Sequence, residues 1–484
     1  MTAAALQQWF DQAIEHHRNG ALAEAEALYL RVIESKPDAF DALHMLGVIR
    51  HQQGRNDEAH DLIARALSVR PGSVWARSNL GLVLLALGRP AEALAAFDQA
   101  LAADPNDPQV LNSRGNALQE LGRHDEALTN YAAALAREPR YAEAHYNSGA
   151  ALQALDHLSD AVACYERALT LQPDYADAHW NESLALLSLG DFERGWRKFE
   201  WRWRTSDAAR RAPLPHPLWL GETPLNGRKI VLHAEQGLGD AIQFVRYVPM
   251  VAARGATVFL AVHTELKTLF ADVGAAAVYG EGEPLPACDL RCPLLSLPLA
   301  FGTTLDTVPA KIPYLRAPAA ALAHWKPRLP QAPGLRVGLA WSGSANKQGR
   351  QRALALEALS PILSAPDVTF VSLHRRADLA AEDAALLAGR GNVLQFEAPD
   401  FGDAAAIIAS LDLVISVDTS LAHLAGATGK PVWILLPFSA DWRWLRGRED
   451  SPWYPTARLF RQPGPGDWTS VMQRVAEELR KFAR

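Results

Sequence analysis

The stretch Pro105-Asn-Asp-Pro-Gln-Val-Leu-Asn-Ser-Arg-Gly115-Asn-Ala-Leu-Gln-Glu-Leu-Gly122-Arg-His-Asp-Glu-Ala127-Leu-Thr-Asn-Tyr131-Ala-Ala-Ala-Leu-Ala-Arg-Glu-Pro139 is one copy of a unit that recurs along the first part of the chain. Prolines return every 34 residues at Pro37, Pro71, Pro105, Pro139 and Pro173. In step with them run Gly47, Gly81, Gly115 and Gly149, then Ala25, Ala59, Ala93, Ala127 and Ala161, then Tyr29, Ile63, Phe97, Tyr131 and Tyr165. A small residue where two helices cross, a bulky one where they pack and a proline after the second helix describe a helix pair that completes its core by stacking on its neighbours. The first helix of a pair ends near Gly54, Gly88, Gly122 or Gly190, with Asp156 at that phase in the fifth pair, where a tight hairpin needs a left-handed residue.

This pattern resembles the tetratricopeptide repeat, and predicts an α-solenoid of about six helix pairs over residues 1–205, the first and last departing from the pattern. The last pair ends in Asp191-Phe-Glu-Arg-Gly-Trp-Arg-Lys-Phe-Glu-Trp-Arg-Trp-Arg204. Phe192, Trp196, Phe199 and Trp203 share a helical face and read as core. The interleaved Arg194, Arg197, Lys198, Arg202 and Arg204 read as a solvated basic face.

Bulk properties narrow the function. The chain has 484 residues and a formal net charge of −6, so it carries no global basic field and nucleic-acid binding is disfavoured. Cys164, Cys288 and Cys292 are too few for a disulfide framework or a zinc site, and read as buried free thiols. The first 20 residues lack a basic segment followed by an apolar one, and no apolar run is long enough to span a bilayer. These features predict a cytoplasmic protein without membrane insertion.

Beyond a proline-rich boundary at Ala212 to Pro224, the period changes. β-branched runs at Lys229–His233, Thr257–Val262, Arg336–Trp341, Val368–Leu373, Asp412–Val417 and Val432–Leu436 alternate with amphipathic stretches, which predicts parallel sheets covered by helices. A second Pro/Ala-rich stretch divides the region in two. The expected layout is a linker at 206–227, a Rossmann-like half at 228–318, a hinge linker at 319–334 and a second Rossmann-like half at 335–484.

Ligands of open α/β sheets sit beyond the carboxyl ends of the strands, so the loops after the leading strands carry the candidates. After His233 comes Ala234-Glu-Gln-Gly237-Leu-Gly239-Asp240-Ala-Ile-Gln243, a Gly-x-Gly turn into a helix. Ile242 stands where a dinucleotide fingerprint has its third glycine, which makes nicotinamide dinucleotide the lesser reading. Asp240 is either a helix cap or a general base toward a hydroxyl acceptor. In the second half, Asp418, Thr419, Ser420 and His423 open a helix at a strand end, where free amides and the helix dipole favour an anion. No metal-binding Asp-x-Asp accompanies them.

Gly-Leu-Gly-Asp-Ala-Ile-Gln-Phe-x-Arg-Tyr247, Trp341-Ser-Gly343 with Arg352, Ser416-Val-Asp-Thr-Ser-Leu-Ala-His423, and the tail Asp441-Trp-Arg-Trp444 with Ser451-Pro-Trp-Tyr-Pro455 resemble the heptosyltransferase-like GT-B glycosyltransferases. Joined to repeats, the chain is similar to bacterial repeat-containing glycosyltransferases, including the flagellin-modifying kind. The resemblance implies an inverting, metal-independent, cofactor-free transfer from a nucleotide-sugar, with Asp240 as base. It implies donor phosphates held by Asp418, Thr419, Ser420 and His423, and a cleft lined by Gly237, Gly239, Gln243 and Trp341; Lys347, Arg350 and Arg352 are alternative candidate cations for a diphosphate. Ser420 replaces the family's usual glycine, and Ser344-Ala345, Lys347 and Ala353 depart from its pattern after Trp341.

Asn79, Asn147 and Asn181 share one phase of the repeat, with Met45 and Ser113 at the intervening places and Asn112 beside the latter. This is similar to the asparagine ladder of protein O-GlcNAc transferases, which grips peptide backbone. Polar residues on a solvated helix face are the alternative. The function expected is a glycosyltransferase acting on a protein hydroxyl acceptor recruited by the repeats. The alternatives are a non-catalytic scaffold and a transferase acting on a lipid-linked or polysaccharide acceptor.

Overall fold

The computed structural model describes residues 2–205, 214–329, 334–343, 349, 352–375 and 379–483. It separates into two compact units, Met1–Ala178 and His179–Arg484.

The first unit is a succession of helix pairs, from Ala3–Arg18 with Leu22–Ser35 to Ala142–Ala154 with Leu158–Leu171. The recurring glycines are explained by close approach. A Cβ on Gly81 would stand 2.5 Å from the Phe97 ring, and one on Gly115 2.4 Å from the Tyr131 ring, so the crossing tolerates no side chain. The hairpin turns are left-handed as the pattern predicts: Gly54, Gly88 and Gly122 have φ of 76°, 70° and 73°, and Asp156 takes the same turn at 66°. Asp and Asn are among the few non-glycine residues that visit this region.

The second unit begins inside the helix Ala176–Leu189 and includes the short helix Phe192–Phe199. The unit boundary therefore falls earlier than 205, for a physical reason. Phe192, Trp196 and Phe199 are buried in one core with Phe244, Tyr247, Trp442 and Trp453, which belong to the α/β region. Trp196 meets Trp442 edge-on at 5.2 Å and donates its indole N–H to the Thr303 carbonyl at 3.0 Å. Trp203 is only partly buried. Arg202 departs from the expected solvated face: its side chain is 1% exposed, bonded to Glu200, Glu235 and Ser296.

Two parallel sheets follow. The first contains β1 (Lys229–His233), β2 (Thr257–Ala261), β3 (Ala277–Tyr279) and β4 (Leu290–Pro293), in the order β3-β2-β1-β4. The second contains β5 (Leu335–Ala340), β6 (Val368–Ser372), β7 (Val393–Gln395), β8 (Leu413–Val417), β9 (Val432–Leu436) and β10 (Ala457–Arg461), in the order β10-β9-β8-β5-β6-β7. Counted from its own first strand, the second sheet has the 3-2-1-4-5-6 order of a Rossmann fold, and the first has its leading part. The order reverses between β1 and β4 in one half and between β5 and β8 in the other, and the candidate loops leave β1, β5 and β8. The six predicted strands are present within a residue or so; β3, β4, β7 and β10 were not foreseen.

Both predicted linkers contain ordered structure. Trp219 is buried, and its backbone N–H donates to the carbonyl of Arg291 in β4. Residues Ala319–Trp325 form a helix whose buried Trp325 donates to Asp403 at 2.7 Å. Of the three free thiols, Cys292 is buried, whereas Cys164 and Cys288 are half-buried.

Candidate active site

Asp240 is the third residue of the helix Leu238–Phe244, which starts directly after the loop leaving β1. Its Oδ2 accepts the Gly237 backbone N–H at 2.9 Å, so it does cap the helix. Its Oδ1 pairs with the Arg443 guanidinium, 203 residues away in the second half. This contact between the halves has close steric support, since Gly239 lies against Ser420 and His423 at the start of the helix Ser420–Ala427.

Arg443 begins a chain of ion pairs. Its Nη1 binds Asp441 at 2.8 Å; Asp441 also binds Arg352 Nη2 at 3.0 Å; and Arg352 Nη1 binds Asp418 at 3.0 Å. The two arginines hold the Asp441 carboxyl down at about 2, against the opposing effect of burial. Asp418, directly after β8, is pushed upward by burial, with Arg352 opposing. Asp418 thus orients Arg352; an acidic group at this position is suited to holding a cation and not a phosphate.

His423 is buried between Tyr454, whose hydroxyl lies 2.8 Å from Nδ1, and Trp444, which stacks on the ring at 5.3 Å. Burial, aided by Arg443, lowers it to about 3, so the imidazole is neutral at physiological pH. It can offer a hydrogen bond to an anion but not the charge-assisted one expected of an imidazolium. Thr419 holds the N-cap position of its helix, with Oγ1 3.0 Å from Ser416 Oγ, and Ser420 begins the helix. Trp341, after β5, is buried and donates its indole N–H to Asp383 at 2.8 Å. Lys347 and Arg350 lie outside the described residues.

Two residues of the site, Arg443 and Glu235, are not singled out by the sequence. Arg443 stands between two tryptophans in a short turn, and all three are buried. Gln243, which the resemblance puts in the cleft, lies one helical turn beyond Asp240 and is fully buried with neither amide atom hydrogen-bonded among the described residues. Glu235, two residues before Gly237, has a side chain 3% exposed; burial raises it to about 7, while Arg202 at 3.0 Å opposes the rise. Among the described residues no group of three or more His, Cys, Asp or Glu side chains is disposed to hold a metal, and no helix is long and apolar enough to cross a membrane.

The repeat asparagines use their amides between neighbouring repeats. Asn79 Nδ2 lies 2.8 Å from His44 Nε2, and Asn147 Nδ2 donates to Asn112 Oδ1 at 3.0 Å, each spanning 35 residues. Asn112 in turn donates to Tyr141 and Glu143 at 3.3 and 3.1 Å. Asn112 and Asn147 are buried, Asn79 is half-buried, and Asn181 belongs to the second compact unit.

Sequence profiles of the tetratricopeptide repeat match residues 10–73, 50–116 and 142–175, and a further TPR repeat profile matches 115–156. Protein FlbA of Caulobacter vibrioides is 32% identical over 326 residues, covering 61% of this chain and 54% of FlbA. The chain thus spans about half the length of that relative. Among solved structures, YrrB, described as a TPR protein with an unusual peptide-binding site, is 27% identical over 35% of this chain and 88% of its own, with a TM-score of 0.31. PilW, a widely conserved type IV pilus biogenesis factor, is 23% identical over 43% of this chain and 96% of its own, with a TM-score of 0.39. The chain is similar to FlbA over part of its length, and carries tetratricopeptide repeats across its first 180 or so residues, followed by an α/β region of two parallel sheets.

Proposed function

We propose that the protein is a cytoplasmic glycosyltransferase that moves a sugar from a nucleotide-sugar to a hydroxyl of a protein acceptor recruited by its repeats. The observation that carries this reading is the meeting of the β1 loop with the helix start that follows β8. There a carboxylate, Asp240, pairs with Arg443, which Asp441 links to Arg352, beside a helix start at the switch points of two Rossmann-like halves. In this reading Arg352, the hydroxyls of Thr419 and Ser420 and the helix dipole bind the donor diphosphate, and supply the positive charge for which other transferases use a divalent ion. Asp240 takes the proton of the acceptor hydroxyl as it attacks the anomeric carbon from the face opposite the departing nucleotide, which inverts that centre. His423, neutral, donates one hydrogen bond. Lys347 remains a candidate phosphate cation.

Co-expression with candidate acceptors followed by intact-mass analysis tests this: a discrete added sugar mass is expected, and its absence together with no melting shift across UDP-, ADP- and CMP-linked donors overturns it. A donor at 100 times its dissociation constant stabilises by about 2.7 kcal/mol. One observation favours a second reading, a non-catalytic scaffold: both carboxylate oxygens of Asp240 already have partners. The same melting panel separates the two.

A further inference from the structure

Three carboxylates, Asp240, Asp418 and Asp441, share two arginines, Arg352 and Arg443. Both arginines are already paired with carboxylates, so a diphosphate cannot enter the cluster without exchanging partners. Three of the four ion pairs lie within the second half, and only that of Arg443 with Asp240 joins the two halves. Asp240 is also more exposed than Asp418 or Asp441, its side chain at 18% against 3% and 14%. The Arg443 side chain is 9% exposed, lies over the Trp442 ring at 4.3 Å, and its Nε has no hydrogen-bond partner among the described residues. It is a largely dehydrated cation with donor capacity in reserve.

Resting on the reading above, we propose that Arg443 is a binding residue for the donor diphosphate, and that its pair with Asp240 is an exchangeable latch. An incoming diphosphate takes the Arg443 Nη2 donor, Asp240 loses that partner, and its Oδ1 becomes free to accept a proton. Occupancy of the donor site thereby arms the base, and an empty site keeps it capped. The geometry makes the exchange local: Arg443 keeps Asp441 as its anchor, while Asp240 keeps the Gly237 amide.

Calorimetric titration of inorganic pyrophosphate and UDP into the full chain tests the latch in four proteins: wild type, Asp240→Asn, Arg443→Gln and the double variant. Removing the competing carboxylate should tighten anion binding by about threefold to tenfold, and removing Arg443 should weaken it by about tenfold or more. The double variant should match Arg443→Gln. Equal or weaker binding by Asp240→Asn overturns the latch, and this arm does not depend on the folding of an Arg443 variant. Binding that is strong but indifferent to both substitutions sinks the latch and leaves the donor-site reading standing. No binding of either probe, by any of the four, brings down the donor-site reading and the latch with it.

Discussion

Gly239 and His423 touch across the two halves of the α/β region: a Cβ on residue 239 would stand 2.9 Å from His423 Cδ2 and 3.5 Å from Ser420 Cα. The imidazole has little freedom to yield, held by Tyr454 on one side and Trp444 on the other. Gly239→Ala is therefore expected to cost about 1–3 kcal/mol of stability and to displace Asp240 from Arg443. Thermal melting and a transfer assay check this; a variant with wild-type values in both would show that the contact is dispensable.

Asp240→Asn preserves size and hydrogen bonding to the Gly237 amide while removing the proton acceptor. In the proposed reaction it should lower the rate by about 10²- to 10⁴-fold. Transfer within a few-fold of wild type would reduce Asp240 to a helix cap and ion-pair partner.

Acid should destabilise the second unit. Burial lowers His423 to about 3 and His233 to about 4, both from 6.5. The unfolded chain binds their protons first, so the stability from these neutral rings is complete above about pH 6.5 and drains away as pH falls toward 4 and then 3. At pH 4.5 each ring should cost on the order of 2–3 kcal/mol relative to pH 7. Glu235 has the opposite sign: raised to about 7 by burial, it favours the fold below about pH 4.5 and loses that contribution as pH rises through 7. Denaturation across this range, with His423→Asn flattening the acid limb, is the check; an unchanged limb would mean the ring is not neutral in the fold.

Asn147→Ala removes a buried bond to Asn112, and should lower the stability of the repeats by about 1–2 kcal/mol. An intact denaturation midpoint paired with a raised acceptor KM would instead assign the amide to peptide gripping, as the ladder reading expects.

A chain beginning at His179 should melt cooperatively, whereas one beginning at residue 206 should not. The shorter chain loses Phe192, Trp196 and Phe199 from the core, at about 3–5 kcal/mol for each aromatic, and strips Glu235 of Arg202. Near-ultraviolet circular dichroism distinguishes the outcomes.

How much of this was legible beforehand depends on the range of the interaction. The repeat period, the hairpin turns and the glycine crossings are local or one period apart, and Gly115 against Tyr131 can be read directly from spacing. The strands β1 and β9 were legible as apolar β-branched runs. β3 and β7 have three residues each and carry too little pattern to stand out. The Asp240 to Arg443 pair depends on two halves folding against each other, and no local rule links positions so far apart. Arg202 misled for the same reason: its helical phase suggested solvent, and only the tertiary partner Glu235 explains its burial.

The placement of Trp196 and Phe199 has a consequence during synthesis. Their partners Trp442 and Trp453 emerge from the ribosome about 250 residues later, which at roughly 5–20 residues per second is on the order of 12–50 seconds. Throughout that interval a helix with one aromatic face follows repeats able to form without it. The nascent chain at this stage presents an uncovered aromatic surface, which makes it a point of chaperone capture and of aggregation.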